Sequence, residues 1–130
     1  MTRPAKWLWC GLGALVAGGV AATAVAQSYP AKSIRLVVPY PAGGGTDITA
    51  RPIGQKLTEL WGQSVIIDNR PGSSGMIGAD AVAKSAPDGH TVLVSASMEV
   101  SANVALFKNM PYDPVKDFQP VTLATISPLI

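Results

Sequence analysis

The chain has 130 residues, with ten basic side chains against eight acidic ones, one histidine and one cysteine. Its small positive balance comes from Arg3 and Lys6, so beyond residue 26 the two signs cancel at eight each. Neutrality excludes a nucleic-acid partner, which needs a basic face, and the single Cys10 excludes a disulfide framework.

An uncharged run from Trp7 to Ala26 follows Arg3 and Lys6 and closes on Ala24-Val25-Ala26. A charged start, an apolar stretch and a small-x-small ending read as a secretory signal peptide over 1–26, cleaved before Gln27. The distal half is too rich in Ala and Gly for a membrane anchor, and Cys10 lies too early for lipid attachment. Cleavage would leave 104 residues, 27–130, without cysteine.

In that remainder, Ile34 to Val38 is a β-branched apolar run predicted as a buried strand. Pro39-Tyr40-Pro41 and the glycines 43–45 break it. Ile53, Leu57, Leu60 and Trp61 then recur at helical spacing. A helix beginning at Asp47 would put Pro52 in its second turn, costing about 3 kcal/mol. Thr49 as N-cap avoids that, because Pro52 then falls where no N–H is needed; the predicted helix is therefore Thr49 to Trp61. Ser64 to Asp68 is a second apolar run, and Asn69 to Gly75 a loop of turn formers. Ile77, Ala79, Val82, Ala83 and Ala86 predict a small-residue helix. Pro87-Asp88-Gly89 marks a turn, and Thr91 to Ser95 a third strand. Ala102 to Lys108 reads as a short helix, Tyr112-Asp113-Pro114 as a turn, and Val121 to Ile126 as a fourth strand. This β-α-β-α-β order predicts an α/β fold with a parallel sheet and right-handed crossovers. Ser127-Pro128-Leu129-Ile130 is apolar with no solvating tail, which predicts a truncated gene product or a fragment.

The strand–glycine–helix unit carries the functional expectation. In open α/β sheets ligands gather at the carboxyl ends of strands, and N–H groups at a helix start favour an anion. A carboxylate or phosphate is therefore expected on Gly43 to Thr46, flanked by the hydroxyls of Tyr40 and Thr46; the alternative is that the glycines only make a tight turn. Asp47 has two open roles, capping the helix or orienting a water or ligand group. Ser95 and Ser97 follow the third strand on the same sheet edge and are candidate donors to a carboxylate. Pro71-Gly72-x-x-Gly75 either lines the cleft or serves as a turn. Arg70 adjoins Asp68, which favours a structural pair over a ligand clamp. His90, beside a turn, is expected in solvent.

Enzyme templates fail. The chain lacks a Gly-x-Ser-x-Gly elbow, a phosphate-binding Gly-x-x-x-x-Gly-Lys-Ser/Thr loop and the spaced glycines of a dinucleotide fingerprint. One histidine with no cysteine beyond residue 26 makes no metal cluster. No enzyme, cofactor or metal is expected. A secreted α/β hydrolase using one of the serines is the competing class, and it would need His90 as base.

Five motifs resemble those of the Bug/TctC-type solute-binding proteins of tripartite tricarboxylate transporters. They are Tyr-Pro-x-Lys-x-Ile-Arg-Leu-Val-Val-Pro at 29–39, Pro-x-Gly-Gly-Gly-Thr-Asp at 41–47 and Asn-Arg-Pro-Gly-x-x-Gly at 69–75. Ile-Gly-Ala-Asp-x-Val-Ala-Lys at 77–84 with Ala-Pro-Asp-Gly at 86–89, and Pro-Tyr-Asp-Pro-x-Lys-Asp-Phe at 111–118, complete the set. The resemblance implies a type II periplasmic-binding-protein fold, of which 27–130 would be an incomplete first lobe stopping near the crossover to the second. It implies a periplasmic receptor for a small organic acid that hands its ligand to membrane permease subunits, or in some members to a sensor. It places the ligand at the glycine loop, so that Tyr40, Ala42, Gly43, Gly44, Gly45, Thr46 and Asp47, with Ser95 and Ser97 on the same sheet edge, are the expected ligand-binding residues. Pro52, Met76 and Glu99 depart from the usual pattern, and Glu99 would set a carboxylate near the mouth, where it repels an acidic ligand.

Overall fold

Ile34 to Val38 forms strand β1, and Ile34, Leu36, Val37 and Val38 are all buried, with only Arg35 half-exposed. A strand apolar on both faces needs cover on both sides and a neighbour on each edge. β1 has both neighbours. Val65–Asn69 (β2) and Thr91–Leu93 (β3) pair with it in parallel, in the order β2-β1-β3. The register runs from Ile34 opposite Val65 to Val38 opposite Asn69, and from Arg35 opposite Thr91 to Val37 opposite Leu93. The computed structural model describes residues 28–126; the expected signal peptide with its expected cleavage before Gln27, and the ending Ser127–Ile130, lie outside the described residues. Among the described residues no helix is long and apolar enough to cross a membrane.

The crossover helices are α1 (Gly45–Trp61) and α2 (Met76–Ala83), the second entered through a single 3-10 turn at Ser73–Gly75. After β3 a π-type turn, Met98–Ala102, runs into the short helix α3 (Asn103–Leu106). Small residues set how closely the helices approach the sheet. A Cβ on Gly54 would lie 3.0 Å from the Ile67 side chain, and one on Gly78 would lie 2.9 Å from the Pro39 backbone. A core cluster of Met76, Ala79 and Tyr112 seals the α2 side.

Three expectations are corrected here. Helix α1 begins at Gly45 with Gly44 as N-cap, not at a Thr49 cap, so Pro52 does sit inside it. Its missing N–H leaves the Ile48 carbonyl without its helical partner. The early start survives because bonds from outside the helix hold its first turn: Gly43 N–H and Asn69 Nδ2 both donate to the Asp47 carboxylate, at 2.8 and 2.9 Å. Second, the predicted stripe on α1 is only partly covered. Ala50 and Gly54 make the buried contact, while Leu60 is 76 % exposed. Ile53, Leu57 and Trp61 instead edge an open apolar groove shared with Leu36 and Val92. Third, Val121 to Ile126 is not a strand. Its apolar side chains are exposed and no neighbouring strand among the described residues supplies a ladder, without which β propensity alone does not hold a strand.

Candidate functional site

Because all three strands are parallel, their carboxyl ends lie on one edge of the sheet. The ladder continues one step past each flanking strand: Arg70 N–H donates to the Val38 carbonyl at 2.8 Å and Val94 N–H to the Val37 carbonyl at 2.9 Å. Those bonds aim the loop after β2 and the segment after β3 at the glycine loop after β1. Gly45 and Thr46 from the first, and Ser95, Ala96 and Ser97 from the other, line the same open groove. Ser95 is half-buried and Ser97 exposed, and neither hydroxyl has a hydrogen-bond partner among the described residues.

The glycine loop does not present all its amides. Gly43 adopts φ +85°, which turns its N–H inward onto Asp47 at 2.8 Å. Gly44 N–H closes a turn onto the Pro41 carbonyl at 3.2 Å. The first helical bond inside α1 is Ile48 N–H to the Gly44 carbonyl, at 2.9 Å. The N–H groups left at the helix start are those of Gly45, Thr46 and Asp47. The donor set has therefore moved one to two residues along from the Gly43–Thr46 span expected from the sequence.

Asp47 is 1 % exposed, and its carboxylate accepts from three partners: Gly43 N–H, Arg51 Nε at 2.8 Å and Asn69 Nδ2 at 2.9 Å. The Arg51 guanidinium chiefly, with the Gly43 and Asn69 donors, holds the carboxyl down at about 2. The second Asn69 proton goes to the Tyr40 carbonyl at 3.1 Å. One buried carboxylate thus binds loop, helix and the end of β2 together. The i,i+4 spacing of Asp47 and Arg51 is visible in the sequence, but Asn69 is twenty-two positions away and carries no local signal.

Tyr40 does not flank the glycines with its hydroxyl. The ring turns inward, half-buried, toward Glu99, and burial first and that carboxyl second raise its hydroxyl well above the usual range. Ala42 is exposed at the tip of the loop. The loop 70–75 is strained, with positive φ at four consecutive residues, Gly72, Ser73, Ser74 and Gly75. Arg70 pairs with Asp68 at 2.8 Å, as its neighbourhood in the sequence suggested. His90 is not in solvent. Its side chain is 12 % exposed, because the Tyr29 ring packs edge-on against it with centroids 5.1 Å apart. It precedes β3, at the opposite end of that strand from Ser95 and Ser97.

Comparison with known proteins gives concordant matches. Residues 49–130 match the tripartite tricarboxylate transporter family receptor, TctC. Protein BugT of Bordetella pertussis is 40% identical over 117 residues, which cover 89% of this chain and 36% of BugT. Among solved structures, MatC from Rhodopseudomonas palustris with bound malate is 42% identical with a TM-score of 0.68, over 72% of this chain and 32% of MatC. The periplasmic binding protein BugD is 36% identical with a TM-score of 0.66, over 71% of this chain and 30% of BugD. The chain spans about a third of the length of the curated relatives it matches. The parallel sheet with its flanking helices is an α/β lobe of the periplasmic-binding-protein kind.

Proposed function

We propose, because this chain belongs to the tripartite tricarboxylate transporter receptor family, that it carries the glycine-loop side of a receptor for a small carboxylate. The observation that carries the reading is the start of α1. Three N–H groups, Gly45 to Asp47, lack helical partners, and Gly45 and Thr46 line the same groove as Ser95 and Ser97. An anion there gains charge-assisted hydrogen bonds and the field of a helix N-terminus. Asp47 does not oppose it, since its charge is turned inward and paired with Arg51. In this reading Tyr40, Ala42, Gly43, Gly44 and Asp47 shape the loop, while Gly45, Thr46, Ser95 and Ser97 meet the ligand.

The structure solved for MatC holds malate, and a small dicarboxylate of that class is the ligand proposed for this chain. The receptor works outside the cytoplasm after removal of residues 1–26, and passes its ligand to permease subunits of a tripartite tricarboxylate-type transporter. A second lobe, corresponding to the part of the relatives that this chain does not span, would close over the ligand. The enzyme alternative gains nothing from the fold: the one histidine lies behind Tyr29 at the other end of β3 from both serines, so His90 does not serve either serine as base.

The test is amide NMR of the full chain titrated with malate, with the diamide of malate as neutral control. One open lobe leaves half the ligand in water, where charge contacts are weak, so millimolar affinity is expected. Shifts should concentrate at Gly45, Thr46, Ser95 and Ser97 and be absent with the diamide. Shifts elsewhere, or the same shifts with the diamide, would overturn the reading.

A further inference from the structure

Glu99 is the acidic residue expected to repel an anion at the mouth, and the structure places it otherwise. Its side chain folds inward and is fully buried. Neither carboxyl oxygen completes a hydrogen bond of good geometry. Leaving such a group ionised would bury an unpaired charge, which is far costlier than burying a neutral acid. Burial accordingly raises its proton affinity, with the Tyr40 hydroxyl opposing only in part.

The surroundings explain why the carboxyl is there. Gly75, with φ +82°, leaves the space it occupies: a Cβ on Gly75 would come within 2.7 Å of the carboxyl carbon and overlap its oxygen. The Tyr112 hydroxyl donates to the Glu99 carbonyl at 2.7 Å, and Asn103 Nδ2 donates to the Ser74 carbonyl at 2.9 Å. The first bond ties the turn 98–102 to Tyr112, and the second ties the residue that follows the turn to the loop 70–75. On its remaining side the carboxyl bears on Tyr40, at the end of β1 where the glycine loop starts.

The ionisable groups facing Glu99 are the Tyr40 and Tyr112 hydroxyls, with Asp80 of α2 beyond Tyr112. The turn Ser73–Gly75 and helix α3, both packed on the same segment, carry no ionisable side chain. No cation among the described residues is placed to stabilise the anion.

We propose that Glu99 is a positioning residue acting as a neutral acid: its carboxyl, wedged between Gly75 and the Tyr40 hydroxyl, holds the loops after β1 and β2 in register, and losing that one proton loosens both. The consequence for ligand rests on the receptor reading above. An anion at Gly45 and Thr46 binds while Glu99 is neutral and is released as it ionises, a pH gate built behind the site rather than in it.

The chain contains only two glutamates, Glu59 and Glu99, and Glu59 is exposed beside Lys56. Carbon-13 labelling of glutamate carboxyls in the full chain therefore gives an internal comparison. The Glu99 resonance, assigned by its loss in Glu99→Gln, should titrate at clearly higher pH than that of Glu59. The Tyr40 and Gly75 amide resonances should move with the Glu99 midpoint, and lose that movement in Glu99→Gln, which keeps a neutral side chain of the same shape. Gly75→Ala, which forces the carboxyl out of its space, should shift the Tyr40 resonance even in acid. With malate as probe, affinity should fall tenfold or more on crossing the Glu99 midpoint, and not in Glu99→Gln. Titration of Glu99 at or below Glu59, an unchanged Tyr40 and Gly75 profile in the Gln variant, or a Tyr40 resonance indifferent to Gly75→Ala would each overturn the proposal. Absence of malate binding at every pH would overturn the receptor reading instead, while the carboxyl titration still decides this one.

Discussion

The Asn69 side chain donates one proton to the Asp47 carboxylate at 2.9 Å and the other to the Tyr40 carbonyl at 3.1 Å. That amide at the end of β2 holds the glycine loop and the start of α1 in one geometry, although Asn69 touches no groove surface itself. Asn69→Ala should cost about 2 kcal/mol, from these two bonds, the longer one that its Oδ1 accepts from Arg51, and a buried acceptor left short. Denaturant titration of the full chain measures it. A cost below about 0.5 kcal/mol would show that the loop holds without this tie.

Asp47 makes the same region sensitive to acid. Its folded pKa, about 2, lies below the ordinary carboxyl value of 3.8, mainly through Arg51. The lowered value means the contribution is present above the ordinary pKa and fades as pH falls from there through about 2. Asp88, held down chiefly by Lys32, titrates over the same window. Asp47→Asn isolates the one group: wild type should exceed it in stability near neutrality, with the gap closing on acidification. A gap independent of pH would show that charge is not what Asp47 contributes.

Gly45 separates backbone approach from folding. A Cβ there meets nothing within 4 Å, whereas one on Gly44 comes within 3.2 Å of the Pro41 carbonyl oxygen. Gly45→Val should leave stability within about 0.5–1 kcal/mol of wild type. It should also abolish malate-induced shifts at Thr46, since the branched side chain stands where the ligand oxygen would sit. Retained malate shifts in a folded variant would move the anion site off the helix start.

Gly78 tests the helix–sheet contact. A Cβ would press on Pro39 at 2.8 Å and on the Arg70 carbonyl at 3.0 Å, and neither can yield as a flexible side chain would. Gly78→Ala should destabilise by about 1–3 kcal/mol despite the better helix propensity of alanine. Thermal unfolding decides it, and a gain in stability would mean that α2 stands off further than described.

Export is read from sequence alone. Expressed in a Gram-negative host, the chain should reach the periplasm with a new N-terminus at Gln27, by mass spectrometry of the periplasmic fraction. Recovery of intact Met1 in membranes would identify an anchor.

Periodicity and composition were enough to order the elements. An apolar run with no polar alternation had to become the central strand, because only a strand covered on both faces tolerates Val37 and Val38 side by side. Gly43 and Gly44 and the turn formers after Asn69 had to break the regular elements, and once the strands were parallel those breaks had to share an edge. The start of α1 escaped the sequence because local propensity places a break before Pro52, while bonds from Gly43 and Asn69 overrule it. Tyr40 and His90 were misplaced for a related reason. A short-range pattern shows which residue adjoins a turn, not which ring or carboxyl arrives from sixty residues away to cover it. Tertiary structure alone decided that Asp47 spends its charge inside the loop, that the free donors begin at Gly45, and that Glu99 fills the space left by Gly75. The Asn69 bond to Asp47 and the Glu99 carboxyl against Gly75 join segments distant in the chain, and the loop's own short bonds complete the rest where burial makes an unpaired polar group more costly than a strained or interrupted backbone.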